Sequence, residues 1–507
     1  MAYVLGVDLG TSAVKVLLVD EQGTVASEAS RGYPLYHDEP GWSEQEPEDW
    51  VEKTIEAVAE AVRDVDPEQV KGISFSGQMH GLVLIDEAGA PLRRAILWND
   101  TRTSEQCRKI ETELTIDTLH RITKNPALEG FTLPKLLWVQ EYEPDLFKQA
   151  AAFLLPKDYV RFRLTGELGM DYSDAAGTLL LDVADREWSR TVADAFQLDT
   201  SLFPPLLESH AEAGTLLPEM QEQTGLGSVP LFAGGADNAC GALGTGILQE
   251  GSVLSSTGTS GVMLAFEEDG SKDFGGSVHY FNHAVPNAYY TMGVTLAAGH
   301  SLSWFKEQLA PDRSFEELLA LAEASPAGSR GLLFTPYISG ERTPHPDADI
   351  RGSFIGLHTS HTLGDMTRAV LEGITFSLNE SLQLFREQGK QVHTIIASGG
   401  GAKSRLWLQM QADIFGAATE RLESEQGPGL GAAMIAAYGL GWTDSYKELS
   451  DRFTKSADRC EPDPEAAAVY AGLFPIYQKV YRATEELSRA LKPFRQAGSR
   501  QGAETTS

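Results

Sequence analysis

Asp8-Leu9-Gly10-Thr11-Ser12-Ala13-Val14 near the start of the chain and Ser256-Thr257-Gly258-Thr259-Ser260-Gly261-Val262 near its middle are versions of one turn. Gly258 follows Gly10 at an offset of 248 residues in a chain of 507. Each copy sits between two β-rich runs, 3–9 and 13–20 around the first. Short apolar runs bounded by Gly and polar turn residues read as strands joined by a tight hairpin. A Gly-Thr-Ser turn is common on its own. Its return at the half-way point predicts two like α/β domains, each offering a hairpin turn to a shared central cleft.

Working outward, a third strand is expected at 24–30, after Glu21-Gln22-Gly23. Pro47 suits the first turn of a helix, and Val51, Ile55, Val58 and Val62 then share one face. A strand at 72–76 runs into Gly77-Gln78-Met79-His80-Gly81. Strand, helix, strand in this order points to a layered α/β architecture. The domain boundary is placed near Gly246, after the small-residue run 241–246, giving domains 1–246 and 247–491. In the second half, a strand at 392–398 leads into Gly399-Gly400-Gly401-Ala402 and a helix bearing Leu406, Met410 and Ile414. A last helical stretch is expected over 464–491. Residues 492–507 are read as a disordered tail, because 496–507 are small and polar with no hydrophobic period.

Composition narrows the function. The chain carries 41 Lys+Arg against 72 Asp+Glu, a formal charge of −31. That balance argues against nucleic acid, whose binders present a basic footprint. No basic amphipathic stretch invites anionic lipid, and no run reaches the roughly 18 apolar residues of a membrane helix. The start, Met-Ala-Tyr-Val-Leu-Gly-Val-Asp, lacks the basic and long apolar regions of a signal peptide. Cys107, Cys240 and Cys460 have no zinc-like spacing. They read as structural residues of a cytoplasmic protein.

Four features carry chemistry. Gly10-Thr11-Ser12 follows Asp8: glycine lets backbone N–H groups approach an anion, hydroxyls donate, and a strand-end carboxylate suits a hydrated Mg²⁺. The same residues also suit an ordinary hairpin whose Asp caps the turn. Thr257-Gly258-Thr259-Ser260 repeats the arrangement, and two such turns could clamp a polyphosphate. Ser398-Gly399-Gly400-Gly401-Ala402-Lys403-Ser404 follows a strand and opens a helix, where backbone N–H groups meet anions. Ala402 and Ala397 stand where a Walker A loop needs glycines. Finally, Asp237 lies in Gly234-Gly235-Ala236-Asp237-Asn238-Ala239-Cys240-Gly241, after a strand at 229–232. That is the strand end where open α/β sheets bind ligands. A lone carboxylate there can take a proton from an attacking hydroxyl, or act as a helix N-cap. HExxH, CxxC, GxSxG and GxGxxG patterns are missing.

Together these residues resemble the FGGY carbohydrate kinases of the actin-like ATPase superfamily, over almost the whole chain from Tyr3 to about Gly439. One family signature reads Gly352-Ser353-Phe354-Ile355-Gly356-Leu357, then seven residues, then Asp365-Met366-Thr367-Arg368-Ala369-Val370-Leu371-Glu372. A looser one is Gly130-Phe131-Thr132-Leu133-Pro134-Lys135-Leu136-Leu137-Trp138, which departs at Tyr142 and looks structural. Ser76-Gly77-Gln78-Met79-His80-Gly81, Trp98-Asn99-Asp100-Thr101-Arg102 and Gly340-Glu341-Arg342-Thr343-Pro344-His345 resemble the xylulokinase branch.

The resemblance implies two actin-like (ribonuclease H-like) domains facing a central cleft, the first holding sugar and the second ATP. It implies ATP-dependent phosphorylation of D-xylulose in pentose catabolism. Met79, His80 and Asn238 would contact the ketose, and Asp237 would accept the proton of the terminal hydroxyl. Asp8 would stand near Mg²⁺, through water, and near the transferred phosphoryl group. Thr11, Ser12 and Thr259 match the phosphate turns, and Gly299, Gly400, Gly401 and Ser404 match positions that hold ATP. A homodimer is the family expectation. The alternatives are another kinase of the family acting on ribulose, gluconate or glycerol, and, from a different class, an actin-like ATPase or a sugar sensor without turnover.

Overall fold

Alternating apolar residues on either side of the Gly10 turn build the first sheet. The computed structural model describes residues 1–495. Tyr3–Leu9 (β1) and Ala13–Asp20 (β2) pair antiparallel from Tyr3↔Asp20 to Leu9↔Val14. The Gly10 N–H closes the turn on the Ala13 carbonyl at 3.1 Å. Val25–Gly32 (β3) pairs antiparallel with β2, and Val70–Gly77 (β4) lies parallel to β1. Glu212–Thr215 (β5) and Pro230–Phe232 (β6) complete the order β5-β6-β4-β1-β2-β3.

Strand side chains alternate between faces. Leu5, Val7 and Leu9 therefore enter one core with Trp50, Val51 and Val58 of the helix Pro47–Ala61. Gly6 and Asp8 face the other way, toward the helix Gly427–Gly439. A Cβ on Gly6 would lie 2.0 Å from the Gly429 carbonyl oxygen, and one on Gly429 would lie 3.8 Å from the Asp8 Cβ.

The chain divides into two compact units, but not by the single cut expected at Gly246. The first comprises Met1–Leu248, Phe266–Thr291 and Gln426–Lys455; the second holds Gln249–Ala265, Met292–Glu425 and the described residues from Ser456. Backbone packing explains why Gln426–Lys455 returns to the first unit. A Cβ on Gly244 would meet the Gly427 carbonyl oxygen at 2.0 Å, and one on Gly431 would meet that of Cys240 at 2.0 Å. The helices Asp237–Gly244 and Gly427–Gly439 thus touch through bare backbone, which only glycine permits. Phe266–Thr291 is tied in by Asn125, whose Nδ2 donates to the Tyr280 carbonyl at 2.7 Å.

In the second unit, Gly251–Thr257 (β7) pairs antiparallel with Gly261–Glu267 (β8), Thr257↔Gly261 to Val253↔Ala265. It pairs parallel with Val392–Gly399 (β9). Ala418–Leu422 (β10) and Ser456–Cys460 (β11) extend the sheet beyond β9. The repeat is closer than the sequence suggests. Leu9 sits opposite Gly77 in the first unit and Thr257 opposite Gly399 in the second. The loops after β4 and β9, Gln78–Gly81 and Gly400–Ala402, therefore leave equivalent strand ends.

The long family signature turns out to fix packing. Thr362 and Asp365 form a reciprocal cap at the start of the helix Leu363–Glu387. Glu372 accepts from Arg368 Nε at 2.9 Å, Tyr470 Oη at 2.8 Å and the Gly328 N–H at 2.9 Å. The expected helix over 464–491 is two helices, Pro464–Tyr477 and Val480–Ala490. The expected tail needs correction at its start: residues 492–495 form a helical turn. Lys492 Nζ reaches Asp349 at 2.8 Å, and Arg495 donates to the Asp349 carbonyl. Residues 496–507 lie outside the described residues. All three cysteines are buried and unpaired. Among the described residues, no helix is long and apolar enough to cross a membrane.

Candidate active site

In the first unit, β1 and the short strand Gly235–Ala236 both run alongside β4. Asp8 rides near the end of β1, and Asp237 is the first residue of the helix Asp237–Gly244. The N-cap of that helix is Ala236, not Asp237. Asp237 is half-buried. The Asn238 backbone N–H and Nδ2 both donate to Asp237 Oδ1, at 2.6 and 2.9 Å. Both Asn238 bonds thus fall on the same oxygen. Burial, and after it the charge of Asp8, push the Asp237 carboxyl up to about 7, against the pull of the two Asn238 bonds. Asp8 is itself raised by burial, opposed by Ser76 and Lys15.

Asn238 links this carboxylate to Met79, and His80 follows Met79 in the same loop. Met79 is buried, and its Sδ accepts from Asn238 Nδ2 at 3.5 Å and from the Tyr290 hydroxyl at 3.9 Å. Burial and the Asp237 carboxylate raise the Tyr290 phenol. His80 adopts a positive φ of 68°, an uncommon conformation outside glycine. Its ring lies 4.6 Å from that of Phe131, and its Nδ1 sits 2.6 Å from the Gly177 carbonyl oxygen. Its own carbonyl accepts from Thr132 Oγ1 at 3.1 Å and Lys135 Nζ at 2.9 Å. The looser signature at 130–138, expected to be structural, thus holds a candidate sugar-contacting residue in its strained conformation. Sequence reading missed Lys135, Thr132 and Tyr290. One sign was available for Lys135, a lysine inside the otherwise apolar run 133–139 of the helix Thr132–Tyr142.

Thr11 and Ser12 differ from one another. The Thr11 hydroxyl donates to Gln78 Oε1 at 3.2 Å and accepts from Trp98 Nε1 at 2.9 Å. It is engaged in joining the turn to the Gln78 loop, while Ser12 is exposed. Trp98 is 47% exposed despite its size. Behind it, Asp100 accepts from Arg102 and from the Ser43 N–H, both at 2.7 Å. The Trp98–Arg102 motif therefore presents an indole from a buried ionic base.

The second unit holds the remaining predicted residues. The Gly299 N–H donates to the Gly258 carbonyl at 2.8 Å and the His300 N–H to that of Thr259 at 3.1 Å. The N-terminus of the helix Gly299–Leu309 is thereby fastened to the exposed Thr259 turn, where its dipole favours anions. A Cβ on Gly299 would meet the Gly258 carbonyl oxygen at 2.4 Å, and one on Gly401 would lie 2.8 Å from the Thr257 Cβ. At both positions the place of a side chain is already taken by Thr257 and Gly258, so glycine lets these loops pack closely on the turn. Gly400–Ala402 is a single 3₁₀ turn, and Ser404 caps the next helix, its Oγ accepting from the Trp407 N–H at 3.4 Å.

The model of the FGGY carbohydrate kinase N-terminal domain matches residues 3–244, and that of the C-terminal domain matches residues 253–440. The chain belongs to the FGGY family of carbohydrate kinases. It is 55% identical to the xylulose kinase of Bacillus subtilis, over 98% of this chain and 100% of that one. It is 30% identical to the gluconokinase of the same organism, over 96% of each. A xylulose kinase from Lactobacillus acidophilus, solved with ligand bound, matches with a TM-score of 0.91 at 29% identity, covering 96% of this chain and 99% of that one. The family members are two-domain α/β proteins, and this chain shares that architecture.

Proposed function

We propose that this kinase transfers the γ-phosphoryl group of ATP to D-xylulose, giving D-xylulose 5-phosphate and ADP. The observation that carries the substrate is the 55% identity to a xylulose kinase over 98% of the chain, against 30% to a gluconokinase.

The division of labour follows from the residues. Met79, His80 and Asn238 bind the ketose and turn its terminal hydroxyl toward Asp237. Asp237 Oδ2 accepts that hydroxyl's proton as the oxygen attacks the γ-phosphorus; Oδ1 is held by Asn238. Such transfer relies on positioning and electrostatics, with one carboxylate as base. The glycines at 299, 400 and 401 and the Thr259 turn hold ATP. Asp8 suits a hydrated Mg²⁺: it is a buried strand-end carboxylate whose charge already raises the proton affinity of Asp237, and a divalent cation there would neutralise phosphate charge. Ser12 lies on the first phosphate turn. The Thr11 side chain shapes that turn through Gln78 and Trp98, and contacts phosphate only through its backbone.

A coupled ADP-release assay over a panel of sugars tests the reading. D-xylulose should give the highest kcat/KM. A higher value with gluconate, ribulose or glycerol overturns the substrate, and no stimulation by any sugar overturns the kinase mechanism altogether.

A further inference from the structure

Lys157 is fully buried, and its Nζ lies 2.6 Å from Asp158, 2.8 Å from Asp171 and 2.9 Å from Asp174, all equally buried. The ammonium fills the space that a cation would need among three carboxylates. Desolvating such a group is expensive, and ionic clusters of this kind are weak evidence of stability alone. Where its bonds lead is more informative. Asp171 Oδ2 accepts from the Ser173 N–H at 2.8 Å and from Ser173 Oγ at 2.5 Å. Ser173 Oγ in turn accepts from the Ala236 N–H at 2.9 Å. Ala236 immediately precedes Asp237.

The cluster also braces the sugar loop. Gly235 and Ala236 pair with Ser76 and Gly77 of β4. A Cβ on Gly77 would lie 2.7 Å from the Lys157 Cβ. Lys157 therefore packs against the residue from which Gln78, Met79 and His80 depart, while Asp171 and Ser173 hold the strand from which Asp237 departs.

We infer that Lys157, Asp171 and Ser173 are positioning residues: through the Ser173 hydroxyl they fix the Ala236 backbone, and with it the aim of the Asp237 carboxylate at the sugar hydroxyl. This rests on Asp237 being the proton acceptor. Ser173 does two jobs with one hydroxyl, donating to Asp171 and accepting from Ala236. Ser173→Ala removes both and leaves the Lys157–Asp171 contact in place. The buried Ala236 N–H then loses its partner and the strand shifts. A misplacement of about 1 Å at a reacting group can cost up to roughly 100-fold in rate. With the base misaimed, water competes with the sugar for the phosphoryl group, and ATP is hydrolysed to ADP and phosphate.

The test measures sugar phosphate and ADP in the same reaction for wild type, Ser173→Ala, Asp171→Asn and Asp237→Asn. Ser173→Ala should lose roughly 10- to 100-fold in kcat, keep its KM for ATP, and form less than one sugar phosphate per ADP. Simple loss of folded enzyme lowers both products in proportion, so a ratio of one at reduced rate refutes the inference, as does an unchanged rate. Asp171→Asn should show the same drop in ratio in whatever fraction folds. If Asp237→Asn is inactive while Ser173→Ala behaves as wild type, only this inference fails. If Asp237→Asn turns over normally, the base assignment fails and takes this inference with it.

Discussion

The titration of Asp237 should set the acid limb of the pH–rate profile. Burial and the neighbouring Asp8 raise this carboxyl to about 7, and the two Asn238 donors only partly offset them. A general base works only when ionised. One unit below the midpoint about a tenth of the molecules carry the ionised form, so kcat/KM for the sugar should fall about tenfold per pH unit. The assay is initial-rate ADP release at fixed Mg²⁺ and saturating ATP, with the coupling enzymes in excess at every pH and sugar phosphate measured directly at each end. In metal-free protein, Asp8→Asn removes the charge that helps raise Asp237, so the Asp237 midpoint followed by NMR without Mg²⁺ should move down. Stability gives a second readout of the same group. Its folded pKa is raised above the unfolded value, so its contribution to stability is present at low pH and is lost as pH rises through about 7. Asp237→Asn cannot ionise and should escape that loss. An acid limb in the ordinary carboxylate range, near 4 in model peptides, would refute the reasoning that burial and Asp8 tune this base.

Two further substitutions test parts of the account that sequence reading left vague. Lys135→Met keeps the buried stem but removes the amine that donates to the His80 carbonyl at 2.9 Å. Burial lowers the Lys135 amine to about 7, and the His80 carbonyl keeps the Thr132 donor. Losing one hydrogen bond costs roughly 0.5–1.5 kcal/mol, so sugar KM should rise about 2- to 10-fold while ATP KM stays put; an unchanged sugar KM in the folded variant contradicts the role. Gly299→Ala places a Cβ 2.4 Å from the Gly258 carbonyl oxygen. It should raise ATP KM, leave sugar binding intact by calorimetry, and lower stability by about 1–3 kcal/mol as overpacking does; wild-type ATP KM contradicts the placement of nucleotide on this turn.

What the sequence shows depends on how local the cause is. The Gly10 and Gly258 turns are legible because a hairpin is set by a few adjacent residues. Their flanking strands follow from apolar alternation, and Asp237 stands out as a single carboxylate in a Gly/Ala run. The same logic hides what is non-local. Gly427, Gly429 and Gly431 read as helix-weakening residues, and only the bare-backbone contacts with Gly244, Cys240 and Gly6 explain why that helix belongs to the first unit. Thr11 looks like a phosphate-binding hydroxyl until Gln78 and Trp98 are seen to occupy it. Lys135, Ser173 and Tyr290 find partners far away in the chain, at His80, Ala236 and Met79, and only Lys135 stands out among its neighbours. At the C-terminus, residues 492–495 look like the start of a polar tail, yet Lys492 and Arg495 find Asp349.

The central claim is that Asp237 accepts the proton of a sugar hydroxyl during phosphoryl transfer. Phosphorus NMR of a reaction holding ATP, Mg²⁺ and D-xylulose tests it most directly, comparing wild type with Asp237→Asn. The account predicts a pentose 5-phosphate signal growing in step with ADP for wild type, and none for a variant that still binds ATP by calorimetry. Pentose phosphate formed by Asp237→Asn at a rate near that of wild type would contradict it.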